Sequence, residues 1–123
     1  MIKARHIAIR VKDVEKSLAF YRDVLGLSYV RTRDRETYKA VDLTDGEANL
    51  TLLYANNSIS PAPRDAGSFG LDHIGFIVDD IDYVYNRLRT AGVEFVTPAP
   101  ADFFKVLDPD GVIVDIASIA RGW

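Results

Sequence analysis

The 123-residue sequence predicts an α+β fold of two similar halves, each a strand, a helix and three further strands. Three observations predict it. Arg5-His6-Ile7-Ala8-Ile9-Arg10-Val11-Lys12-Asp13-Val14 returns 67 positions later as Asp72-His73-Ile74-Gly75-Phe76-Ile77-Val78-Asp79-Asp80-Ile81, with the same order of residue types. In each copy apolar alternation at period two gives way to helical spacing at an aspartate. Each helical stretch then stops at a glycine, and short alternating runs separated by turn residues follow it.

In the first half, His6, Ala8 and Arg10 share one face of a strand and Ile7, Ile9 and Val11 the other. Asp13 is placed to cap a helix, and Val14, Leu18, Tyr21 and Leu25 form its apolar stripe up to Gly26. Residues 27–32 and 38–43 are strands around a charged turn, Arg33-Asp34-Arg35-Glu36, most simply a solvated hairpin. Asp45-Gly46 is a turn dipeptide, and residues 48–54 make the fourth strand. Residues 56–69 carry the prolines and glycines expected of a linker between modules 1–55 and 70–123, or of a lid over a pocket. In the second half, residues 73–78 alternate, Asp80 caps, and Ile81, Val84, Tyr85 and Leu88 form the stripe that Gly92 closes. Residues 93–96 and 103–107 are predicted strands with a turn at Pro98 and Pro100 between them. Asp108-Pro109-Asp110-Gly111 is a strong turn before a last strand over 112–119, apolar on both faces except at Asp115.

With 48% hydrophobic and 27% charged residues, the chain has the makings of one globular domain. A net charge of −3 and the lack of a basic cluster argue against sequence-independent nucleic-acid binding. No apolar run suffices to span a bilayer, and no signal core precedes the first strand, so a cytoplasmic protein is expected. There are no cysteines, which removes disulfides, thiolate ligands and a thiol nucleophile.

The two repeats hold the only histidines, His6 and His73, each on the face opposite its helix. Asp115 lies among valine and isoleucine, where a carboxylate is costly to desolvate without a cation or donors beside it. Two imidazoles and a carboxylate on one concave face would accept a divalent metal as that cation. Arg10 is the metal-free alternative partner, and could equally hold an anionic substrate group. Asn49 or Thr51 takes the place related to Asp115 in the first half. Tyr38, Phe103 and Phe104 are either pocket lining or plain core.

The stretches His6-Ile7-Ala8-Ile9-Arg10-Val11, Phe20-Tyr21-Arg22-Asp23-Val24-Leu25-Gly26, Asp72-His73-Ile74-Gly75 and Asp108-Pro109-Asp110-Gly111 resemble the vicinal oxygen chelate superfamily. That superfamily includes glyoxalase I, bleomycin-resistance proteins, fosfomycin-resistance enzymes, methylmalonyl-CoA epimerase and extradiol dioxygenases. The resemblance implies a glyoxalase-like fold, two βαβββ modules forming one curled, cup-shaped mixed sheet, with small members working as homodimers. It implies a divalent metal (Fe, Mn, Ni or Zn) held by His6, His73 and Asp115, with Thr51 or Asn49 at a fourth position. Arg10, Tyr38 and Phe104 would then contact a small oxygen-rich substrate. Lyase, isomerase and transferase chemistry all suit such a site, and no side chain stands out as general base. Thr51 falls where glyoxalase-like members carry an acidic ligand, and Asp115 where a glutamate is common. The alternative is a metal-free protein that sequesters a small molecule, as bleomycin-resistance members do.

Overall fold

The computed structural model describes residues 1, 3–36, 38–55, 71–97 and 102–121. The predicted linker 56–69 and the turn at Pro98 and Pro100 lie outside them. The chain divides into two compact units, Met1–Asp65 and Ala66–Trp123.

In the first unit β1 (His6–Arg10) leads to α1 (Val14–Leu18), followed by β2 (Ser28–Asp34), β3 (Tyr38–Thr44) and β4 (Asn49–Ala55). Asp13 caps α1 as predicted, its carboxylate accepting from the Glu15 and Lys16 amides at 3.1 and 3.2 Å. The helix does not stay α to its end. Ala19–Val24 is a wider π turn, in which the Leu25 amide donates to the Phe20 carbonyl five residues back, at 3.0 Å. The wider turn changes which side chains face inward: Phe20 and Tyr21 are buried, whereas Leu25 is only half-buried. Gly26, with φ 85°, then turns the chain away in a conformation that a Cβ would disfavour.

The strands form an open sheet in the order β1-β4-β3-β2, with β1 parallel to β4 and the other pairs antiparallel. Val41, Leu43, Leu50 and Leu52 occupy one face and are buried with Leu18, Phe20 and Tyr21. Burying such side chains stabilises the unit by about 1.5–3 kcal/mol each. The opposite face carries the polar set, His6, Asn49, Thr51 and Asp42.

In the second unit β5 (His73–Val78) is followed by α2 (Ile81–Thr90), β6 (Phe103–Leu107) and β7 (Ile113–Ser118). Asp80 caps α2 through the Tyr83 amide, and the helix ends with the Gly92 amide bonded to Arg89 and the Val93 amide to Leu88. These two bonds satisfy carbonyls that the last turn leaves open. The sheet order is β5-β7-β6, with β5 parallel to β7 and β6 antiparallel to it. β7 is therefore central, which explains why Val114, Asp115, Ile116 and Ala117 are all buried.

Two expectations are corrected. Among the described residues the strands do not make one curled, cup-shaped sheet: they form two open sheets of four and three strands, each ending on two edge strands. Within the described residues the ladders show a single register shift, between Tyr29 and Arg31, so little bends the strands toward closure. Residues 93–96 are not a strand. Phe95 makes an isolated bridge to Val106, flanked by the bonds Val96 N–H to Lys105 O and Leu107 N–H to Glu94 O. The next donor, the Lys105 amide, goes to the Thr97 hydroxyl at 2.9 Å, so a side chain ends the ladder before it becomes a strand.

Candidate functional site

The parallel pairings settle which residues correspond between the repeats. Ala8 pairs with Thr51, and Gly75, its counterpart, pairs with Asp115. Thr51 rather than Asn49 thus stands where Asp115 stands in the other sheet. Asn49 lies opposite His6 instead, and its Oδ1 is 2.7 Å from the His6 Nδ1.

In the second unit the histidine and the carboxylate come together, with His73 Nε2 3.3 Å from Asp115 Oδ2. The His73 Nδ1 lies 2.8 Å from Asp72 Oδ2. A carboxylate only accepts, so a neutral ring donates either from Nδ1 to Asp72 or from Nε2 to Asp115, and the Nδ1–H tautomer is the one that leaves a lone pair on Nε2. His6 is arranged in the same way against the Asn49 carbonyl oxygen, whose amide nitrogen is turned to the Leu43 carbonyl. In the Nδ1–H tautomer both histidines present Nε2 as a ligand atom, with an acceptor behind the ring at Nδ1.

The 3.3 Å between His73 Nε2 and Asp115 Oδ2 suits two ligands of one ion. Ligands about 2.1 Å from a metal lie about 3.0–3.4 Å apart in octahedral or tetrahedral geometry. Among the described residues, however, no three histidine, aspartate or glutamate side chains are grouped to hold a metal. Asp115 also has a cation already. Lys105, its antiparallel partner on β6, places Nζ 2.6 Å from Asp115 Oδ1. The alternative of Arg10 as the partner is replaced by Lys105. A lysine directly across the ladder reaches the carboxylate with no adjustment of the backbone.

The remaining candidates are less concentrated. Arg10 ends β1, paired with Leu53, and Tyr38 opens β3 with 39% of its surface exposed. Phe104 is fully buried, with its ring 5.7 Å from Tyr85 and 5.6 Å from Phe95, centroid to centroid, which is a core position.

A second polar cluster went unnoticed in the sequence. Asp42, on β3 opposite Thr51, is 2% exposed and accepts from Thr51 Oγ1 at 2.6 Å, Arg31 Nε at 2.9 Å and Arg33 Nη2 at 2.9 Å. Burial pushes its pKa up, but the hydrogen bonds from Thr51, Arg31 and Arg33, with the charge of Arg33, outweigh this and bring it to about 2. Arg33 is thus no part of a solvated turn. The available signal was Asp42 set between Val41 and Leu43, facing an Arg31-x-Arg33 alternation on the neighbouring strand.

Comparison with known proteins gives the family and the fold. The family model described as Glyoxalase/Bleomycin resistance protein/Dioxygenase superfamily matches residues 3–116. A lactoylglutathione lyase of Pseudomonas aeruginosa is 32% identical over 141 residues, covering 90% of this chain and 79% of that protein. The glyoxalase I of Leishmania major, described as trypanothione-dependent, superposes with a TM-score of 0.85 at 24% identity, covering 98% of this chain and 89% of the other. A mutant fosfomycin resistance protein, FosX, of Listeria monocytogenes, complexed with Mn(II) and 1S,2S-dihydroxypropylphosphonic acid, superposes with a TM-score of 0.76 at 19% identity, covering 95% and 93%. Both superpositions concern the fold alone. No helix among the described residues is long and apolar enough to cross a membrane.

Proposed function

The chain belongs to the glyoxalase/bleomycin resistance protein/dioxygenase superfamily, and we propose that it is a divalent-metal-dependent enzyme acting on a small oxygen-rich substrate. His73 and Asp115 supply two ligands in this reading and His6 the third, with Thr51 or Asn49 beside them and the chain working as a homodimer. The observation that carries it is the matched pair of histidines, each with Nδ1 against an acceptor, together with the 3.3 Å approach of His73 Nε2 to Asp115 Oδ2. The lactoylglutathione lyase relative and the Mn(II) complex of FosX support it.

A bound divalent ion would supply Lewis-acid stabilisation of charge developing on neighbouring substrate oxygens. The chain's own part is orientation. Asn49 and Asp72 would accept from Nδ1 in the tautomer that ligates through Nε2, and Asp115 is held in a buried position. Reactions of lyase, isomerase and transferase type fit this arrangement.

Metal analysis of protein purified without chelator or affinity tag tests the proposal. About one divalent ion per chain is expected in the wild type, with loss in His6→Ala and in His73→Ala. A second reading, metal-free sequestration of a small molecule, is favoured by the 2.6 Å contact of Lys105 with Asp115, since it already neutralises the buried carboxylate. That reading stands if no ion co-purifies and added Mn²⁺, Fe²⁺, Ni²⁺ and Zn²⁺ leave the melting temperature unchanged.

A further inference from the structure

The polar face of the first sheet does not end at Thr51. It runs across the strands from His6 through Asn49 and Thr51 to Asp42, and finishes at Arg31 and Arg33. The two guanidiniums share one buried carboxylate, Arg31 Nε on Oδ2 and Arg33 Nη2 on Oδ1, each at 2.9 Å. This bracing holds both forks in place and leaves the group of three with one net positive charge.

Each guanidinium has five N–H donors in a fixed plane. Asp42 takes one from each, and among the described residues neither arginine has another partner. The Arg33 Nε is buried and unbonded, a donor left without an acceptor. The Arg31 side chain is 64% exposed, so its outer edge stands open to a ligand. A structural ion pair alone would need only one arginine for one carboxylate. A second, Arg31, with most of its side chain exposed, matches the planar bidentate recognition that guanidinium gives to carboxylate and phosphate.

We infer that Arg31 and Arg33, braced by Asp42, form a binding subsite for an oxyanion, the carboxylate or phosphoryl group of a small substrate. Strands about 4.8 Å apart put β1 and β2 about 14 Å from each other. The arginines lean back over β3, so the anionic group would sit about 10 Å from the His6 end of the face. Assignment of the oxyanion to the substrate rests on the function proposed above; its binding rests on the first unit alone.

The test is an NMR titration of the arginine Nε–H resonances in EDTA-treated protein, with inorganic phosphate in one arm and acetate in the other. Because metal is absent throughout, failure here is distinct from failure of the metal proposal. Saturable shifts at Arg31 and Arg33 with either anion are expected, and the arm that responds identifies a phosphoryl or a carboxylate group. Arg31→Gln should weaken binding about tenfold or more, and Arg31→Lys, which keeps charge but loses the fork, by less. Arg22→Gln, on the surface beside Asp23, should leave it unchanged. The inference is overturned if neither anion gives saturable shifts, or if Arg31→Gln binds as the wild type does.

Discussion

Asp42 and Lys105 hold the same place in the two sheets and carry opposite charge. Each lies on the strand antiparallel to the one that pairs in parallel with its repeat's first strand, Asp42 opposite Thr51 and Lys105 opposite Asp115. The first unit therefore puts its carboxylate one strand further out than the second does. It neutralises that carboxylate with arginines, where the second unit uses a lysine.

Lys105 already holds Asp115, and a divalent cation bound there would compete with it. Lys105→Met keeps the apolar stem but strands a buried carboxylate, and should lower the stability of metal-free protein by about 1–3 kcal/mol. Mn²⁺ should then stabilise the variant more than the wild type. Urea unfolding with and without Mn²⁺ measures both effects, and equal stabilisation of the two proteins would show that lysine and metal do not meet at Asp115.

Asp42 gives the first unit a defined pH dependence. Its folded pKa, about 2, lies below the ordinary 3.8, so its contribution is complete above 3.8 and disappears as pH falls through about 2. The difference corresponds to about 2 kcal/mol at neutral pH. Asp42→Asn should lose about that much at pH 7 in urea unfolding, and the gap to wild type should narrow steadily below pH 3.8. A gap independent of pH would mean that the charge of Asp42 contributes nothing to folding.

Phe104 distinguishes core from pocket. Packed against Tyr85 and Phe95 with no exposed surface, it should behave as a core aromatic. Phe104→Ala is expected to cost about 3–5 kcal/mol, read from the urea midpoint. A loss below about 1 kcal/mol would indicate a side chain whose main role is contact with a ligand.

Much of this protein was legible one segment at a time. The repeat, the caps at Asp13 and Asp80, the glycine stops and the turn at Asp108 all depend on interactions within a few residues. Parity within β1 and β5 likewise put both histidines on the face away from the helices. The sequence could not show where Phe20 points, because one wide turn redirects everything after it. Nor could it show that Thr97 captures the Lys105 amide and ends a ladder that alternation had predicted. The partners of Asp42 and Asp115 depended on register, which is set by backbone pairing between distant segments and moves a side chain to the other face with each one-residue slip. Residue types and local periodicity thus determined the candidate ligands and the order of elements. Only the paired strands decided that Asp115 meets Lys105 and His73, that Asp42 meets two arginines, and that the sheets stay open.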